Sequence, residues 1–332
     1  MTKDIWVFVE QNQGIVANAS LELLNEAIRI KEKMANPGEI AAVVLGEDIG
    51  QLSETCQQYG AEKVFVADDQ RLRLYHPEYY ASILVALIKT HDPHIFLFGA
   101  TYFGSQLAPM VAARVKTGVA AHSIELKVDE GDNLVAVVPA FGGKVLGDIH
   151  IPNHRPQMAS IKPGILEKAE KKSIGGVIET VNLDFLDDVK VNLQPIRLCK
   201  EETKGIPLED ADVVVCGGFG MGNQEYWNML QNFADKIGSS LGCTRPALDE
   251  GWTKGEHLMI GTSGKSIRPK VYIGFGVSGA THHICGMKDS SLIININKDE
   301  NSEVFKVSDL GVVGDLSQIL PLLIESIGSR SK

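Results

Sequence analysis

The chain has 332 residues, 44% of them apolar and 22% charged, enough for two globular domains. Its formal net charge of −10 argues against nucleic acid as a partner, because displacing counterions from phosphates needs a basic face. No apolar run approaches the ~20 residues that span a bilayer, so membrane insertion is not expected.

The start, MTKDIWVFVEQNQ, lacks a basic stretch followed by an apolar core, and a cytoplasmic location is expected. The cysteines Cys56, Cys199, Cys216, Cys243 and Cys285 are odd in number and widely spaced, with no CxxC pair. They read as buried free thiols rather than a disulfide framework or an iron–sulfur cluster.

In chain order, IWVFVE (5–10) predicts a central strand. A helix follows, with Ser20 as its cap and Leu21, Leu24, Ala27, Ile28 and Ile30 on its apolar face, and Asn36-Pro37-Gly38 stops it. IAAVVL (40–45), a helix near 49–59, KVFVAD (63–68), a helix near 78–91 and HIFLFG (94–99) continue the alternation. Leu107, Met110, Val111 and Val115 then recur at helical spacing. Short strands apolar on both faces, separated by helices, predict a doubly wound, mostly parallel sheet.

From about 120 to 162 the pattern changes to short strands and turns, expected as an antiparallel edge on that sheet. Residues 168–176 and 198–211 are polar and poorly periodic, and the interdomain linker is placed in the second of these. The expected domains are therefore 1–203 and 204–332. The second begins with DVVVC (212–216), GGFGMG (217–222) and a helix carrying Trp227, Leu230, Phe233, Ala234 and Ile237. KVYIGFG (270–276), LIININ (292–297), GVVGDL (311–316) and a last helix from Leu316 to Ile327 complete it.

The segments that carry chemistry lie in this second half. GGFGMG joins a strand to a helix, where dinucleotide folds seat a pyrophosphate around glycines such as Gly220. It is not a GxGxxG, and no acidic residue ends a second strand ~20 residues on, so a tight structural turn stays open as a reading. GVSGATHH (276–283) also follows a strand, with Ser278 suited to an N-cap. His282 and Cys285 are three apart but have no further ligands, so no metal site is expected.

Thr244-Arg245-Pro246 opens a further helix, where a guanidinium could cover an aromatic ring or hold a pyrophosphate. GTSGK (261–265) lacks the GxxxxGK[ST] frame of a nucleotide hydrolase and better suits hydrogen bonds to a ring edge or a ribityl chain. There is no GxSxG, no HExxH and no convincing nucleophile–base pair. A redox cofactor carrier fits better than a hydrolase.

Together, CTRPALDEGW (243–252), PKVYIGFGVSGATHHICGMKDS (269–290), IININKD (293–299) and VSDLGVVGDL (307–316) closely resemble the alpha subunit of electron-transferring flavoprotein. FGATYFGSQLAPMVAARVKTGVAAHSIEL (98–126) and VPAFGGKVLGDIHIPNHRPQMASIKPGIL (138–166) share that family's pattern, so the resemblance spans nearly the whole chain. PNHRPQMA is similar to members from anaerobes that bifurcate electrons from NADH.

The resemblance implies a heterodimer with a beta subunit, an N-terminal α/β domain at that interface and a C-terminal Rossmann-like (DHS-like) domain that binds FAD. It implies a carrier of electrons rather than a stand-alone catalyst, with flavin dehydrogenases such as an acyl-CoA dehydrogenase as partners. Carried over by residue, Arg245 lies at the isoalloxazine, Thr244 beside the pyrophosphate and Ser263 near flavin N5, within the loop Thr262-Ser263-Gly264. His283 meets the O2/N1 edge, next to His282, and favours negative charge there. Ser278 and Gly279 contact phosphates or the ribityl chain. Asn297, Lys298, Asp315 and Leu316 hold the adenosine end.

Four positions depart from the family's usual residues. Phe219 replaces an Arg, Thr262 replaces a Gln, Ser263 replaces a Thr, and His282 replaces another Gln. Two other readings stay in view: a NAD(P)-binding oxidoreductase subunit using GGFGMG, and a nucleotide-binding regulatory module without redox function, which Phe219 and Thr262 keep open.

Overall fold

The computed structural model describes residues 3–12, 14–140, 145–168, 171, 175–197 and 205–330. They form two compact units, one up to Arg197 and one from Gly205 onward.

The first unit runs β1 (Ile5–Val9), β2 (Gln11–Asn12), β3 (Ile15–Val16), α1 (Asn18–Lys33), β4 (Ile40–Gly46), α2 (Leu52–Gln58), β5 (Lys63–Asp68) and α3 (Pro77–His91). It continues with β6 (Ile95–Gly99), α4 (Tyr102–Val115), β7 (Val119–Ser123), β8 (Glu125–Val128), β9 (Leu134–Ala140), β10 (Val145–His150), β11 (Gln157–Ile161) and β12 (Val177–Thr180). Seven of these strands form a parallel sheet in the order β12-β5-β4-β1-β6-β11-β7.

The two-residue period of a strand explains the layering. Ile5, Val7 and Val9 face a core shared with α1 and α2, while Trp6 and Phe8 face one shared with α3 and α4. With both faces covered, every residue of β1 is buried, as its unbroken apolar run predicts.

Three expectations change here. Gln157–Ile161 is not part of an antiparallel edge: it is fully buried and pairs in parallel with β6 and β7. The antiparallel strands form a separate sheet, β10-β9-β8, from which Leu126, Leu134 and Ala136 join the first core. Ser20 does not cap α1, which starts at Asn18; its hydroxyl instead accepts from the backbone N–H of Glu10. Half of the expected linker, 198–204, lies outside the described residues.

The second unit runs β13 (Val213–Gly217), α5 (Gln224–Ile237), β14 (Ser240–Cys243), α6 (Arg245–Asp249), β15 (Val271–Phe275), α7 (Thr281–Ile284), β16 (Ile293–Asn297), β17 (Leu310–Val313) and α8 (Leu316–Arg330). Its five strands are parallel, in the order β14-β13-β15-β16-β17. On one face, Leu230 and Phe233 of α5 and Leu320 of α8 pack on Val215, Phe275 and Ile296. On the other, Tyr272, Val214 and Cys216 meet Ile260, Ile267, Met287 and Val304 from turns and short helices.

From β13 the chain moves to β14 on one side and then to β15 on the other. The C-terminal ends of β13 and β15 therefore flank the crevice where such sheets place a ligand.

Candidate functional site

At that crevice two glycine turns are pressed together, backbone against backbone. Gly218 N–H donates to Phe275 O at 2.9 Å, and Gly220 N–H donates to Gly276 O at 2.9 Å. A Cβ on Gly220 would stand 2.7 Å from Gly276 Cα, and one on Gly218 would run into Gly276 O. Gly276 has φ of +63°, which a side chain disfavours. Only glycines permit this approach, and it leaves Phe219 exposed at the rim, its ring nearly parallel to Trp252 with centroids 6.1 Å apart.

Thr244 follows β14 and reaches the same place, its N–H donating to Gly217 O at 3.0 Å. Its hydroxyl is buried and has no hydrogen-bond partner among the described residues. A buried hydroxyl left unpaired costs about 1–3 kcal/mol, so this oxygen is positioned for something besides the protein. Arg245 next to it is exposed and bonds through Nε to Asp249 Oδ1 at 2.8 Å, which orients the guanidinium.

The loop Ile260–Lys265 packs on α7. Thr262 N–H donates to His282 O at 2.9 Å, and Thr262 Oγ1 lies 3.0 Å from His282 Nδ1. His282 is exposed, as is Ser263, and Gly264 N–H closes a turn onto Gly261 O. His283 is placed differently. It is buried, its Nδ1 lies 3.0 Å from Ile260 O and its Nε2 lies 2.8 Å from Tyr272 Oη.

A carbonyl only accepts, so Nδ1 carries the proton and Nε2 accepts from the tyrosine. Burial pushes its pKa down to about 4, so the ring is neutral. Both ring nitrogens are thus engaged inside the protein, and His283 presents no spare donor for a ring edge.

Ser278 is exposed, and its carbonyl accepts from Ser302 Oγ. Gly279, at φ of +83°, packs where a Cβ would strike Val304 N. Asn297 ends β16 and ties the turns together, donating to Val277 O at 2.8 Å and accepting from Asp299 N–H at 3.0 Å. Asp315 is exposed and accepts from Ser317 N–H at the start of α8. That bond holds its carboxyl below the usual range, with Lys298 adding a smaller pull. Leu316 is buried in the core under α8.

The crevice thus gathers Gly220 and Thr244, with Arg245 beside them, and α7 binds Thr262 to the histidines. Two residues escaped the sequence reading: Tyr272, whose hydroxyl is spent on His283, and Trp252, which faces Phe219. Apolar strand periodicity hides the first. The second carries no signal beyond being aromatic.

These features suit a dinucleotide. With no side chains on the two glycine turns a diphosphate can approach their backbone closely, and the Thr244 hydroxyl can supply a bond to it. Comparison with known proteins agrees. Residues 5–186 match the electron transfer flavoprotein domain, and residues 207–288 match the electron transfer flavoprotein FAD-binding domain.

Electron transfer flavoprotein subunit alpha of Thermoanaerobacterium thermosaccharolyticum is 36% identical, covering 98% of both chains. That of Megasphaera elsdenii is 38% identical, over 98% of this chain and 96% of its own. A subunit of lactate dehydrogenase (NAD(+),ferredoxin) from Acetobacterium woodii is 34% identical, over 98% of this chain and 77% of its own. This chain belongs to the electron transfer flavoprotein alpha-subunit family, and FAD is the cofactor of its second unit.

Proposed function

We propose that the chain pairs with a beta subunit and carries electrons between a flavin dehydrogenase, such as an acyl-CoA dehydrogenase, and a second redox partner. FAD when bound supplies one- and two-electron transfer; the protein supplies binding, orientation and partner access. The observation that carries this reading is the glycine-lined crevice between β13 and β15, with the unpartnered Thr244 hydroxyl in it.

In this reading Gly220 and Thr244 hold the diphosphate, and Arg245 lies over the isoalloxazine. Ser263 approaches flavin N5 from the loop it shares with Thr262 and Gly264, His282 stands beside that loop, and His283 backs it. Ser278 and Gly279 hold the ribityl end, and Asn297, Lys298, Asp315 and Leu316 the adenosine end. A cytoplasmic location is part of the proposal; among the described residues no helix is long and apolar enough to cross a membrane.

The relative named for NAD(+) and ferredoxin favours a second reading, in which the heterodimer bifurcates electrons. Co-purification with a beta subunit and a count of flavins tests both. One FAD with AMP fits simple transfer, and two FAD fit bifurcation. A heterodimer that binds nicotinamide but no flavin would contradict both.

A further inference from the structure

Tyr272 is the second residue of β15 and is fully buried, with β13 and β16 on either side. A tyrosine there needs a partner for its hydroxyl, and it has one in His283 Nε2 at 2.8 Å. Cys216 Sγ, on β13, stands 3.9 Å from the same nitrogen. The opposite side of the imidazole donates to Ile260 O at 3.0 Å. The ring is therefore a strut between the sheet and the start of the Gly261–Gly264 loop.

The rest of that loop is held by the same short helix. His282 O takes the N–H of Thr262, His282 Nδ1 meets the Thr262 hydroxyl, and a Cβ on Gly261 would come within 2.8 Å of His282 O. From the sheet side, Ile260 N–H donates to Cys243 O at 2.9 Å. Two consecutive histidines thus clamp one loop, and only His283 has a support of its own in the sheet.

We propose that Tyr272 is a positioning residue for the cofactor seat: its hydroxyl fixes His283 as the Nδ1–H tautomer, and His283 fixes the Ile260 carbonyl and the loop that follows it. The proposal rests on the FAD reading above for its effect on the cofactor, but its effect on the imidazole does not. Tyr272 acts through His283 and the loop.

The test uses the full chain, with its histidines labelled with nitrogen-15, in three substitutions. Tyr272→Phe keeps the ring volume and removes only the hydroxyl. In the FAD-free chain the His283 nitrogen signals should lose the pattern of one protonated and one hydrogen-bonded nitrogen. With the beta subunit present, FAD should be held about 10-fold more weakly, the loss expected for one buried hydrogen bond.

His283→Gln should rescue, since its amide N–H can donate to Ile260 O while its oxygen accepts from Tyr272; FAD retention should stay within about 3-fold of the parent. A parent that binds no FAD would end the cofactor reading and leave the imidazole signals to judge the tyrosine. Unchanged His283 signals and unchanged FAD retention in Tyr272→Phe would overturn the proposal. So would a His283→Gln chain that loses FAD as completely as His283→Leu.

Discussion

The two units are parallel sheets with the same kind of crevice, and they fill it differently. In the first, the strand order reverses between β1 and β6, and the residues just past those strands are Glu10 and Thr101. The Thr101 hydroxyl, at the N-cap of α4, sits 2.7 and 2.8 Å from the two carboxyl oxygens of Glu10. In the second unit the corresponding place is lined by glycine backbone, and the hydroxyl beside it, that of Thr244, has no partner among the described residues. One switch point is closed by the protein's own side chains, and the other is left for a ligand.

The largest expected contrast comes from adding one methyl group to each crevice. In Gly276→Ala the Cβ would stand 2.7 Å from Gly220 C at a φ of +63°. We expect a loss of about 3 kcal/mol or more in the stability of the second unit, and no measurable FAD binding. In Gly99→Ala the new carbon meets Glu10 Oε1 and Thr101 Cγ2 at 3.2 Å, where side chains can shift. Denaturant unfolding should show a loss of only about 1 kcal/mol there. Equal losses would show that the crevices are equally tight.

The units should also respond to pH with opposite signs. Burial pushes the Glu10 carboxyl up to about 7 from 4.5, with the Thr101 hydrogen bond a smaller opposing effect. The fold favours its protonated form, so that contribution is complete below pH 4.5 and lost as pH rises through about 7. His283, beside Tyr272 and Cys216, is depressed from 6.5 to about 4 by burial, and the fold favours its neutral form. That contribution is complete above pH 6.5 and lost as pH falls through about 4.

Each effect amounts to about 3 kcal/mol at its limit. Unfolding followed separately in the two units should slope in opposite directions, and Glu10→Gln should flatten the slope of the first. Parallel slopes would remove this distinction.

A smaller and more diagnostic effect belongs to Thr244→Val. Removing an unpaired buried hydroxyl should raise the stability of the FAD-free chain by about 1 kcal/mol and weaken FAD retention about 10-fold. Calorimetry and equilibrium dialysis read the two effects apart, and a variant that loses stability without FAD would mean the hydroxyl has a protein partner. The smallest effect is expected from Phe219→Arg, which restores a cation at the rim. FAD retention should tighten by about 3-fold, an effect that salt should erode.

Strand periodicity made much of this legible. β1, β4, β5, β6, β13 and β15 are runs apolar on both faces, and burial in a parallel sheet demands such runs. Gln157–Ile161 was misjudged because a five-residue run with Gln and Ser does not encode whether its neighbours run parallel. Val177–Thr180 pairs with β5 at the edge and is largely exposed, so no apolar pattern announces it. β14, Ser-Leu-Gly-Cys, is too short and small-chained to stand out.

At the site, the turns could be read because glycine and cap residues are local signals. The Thr262–His282 and Tyr272–His283 pairs could not, since 20 and 11 positions separate their members and only the fold brings them together.

Hydrogen–deuterium exchange of the full chain, with and without added FAD, tests the division of labour most directly. FAD should slow exchange at 217–222, 244–248 and 260–264 and leave the amides around Glu10 and Thr101 unchanged. Protection centred on the β1–β6 crevice, with none at the glycine turns of the second unit, would contradict it.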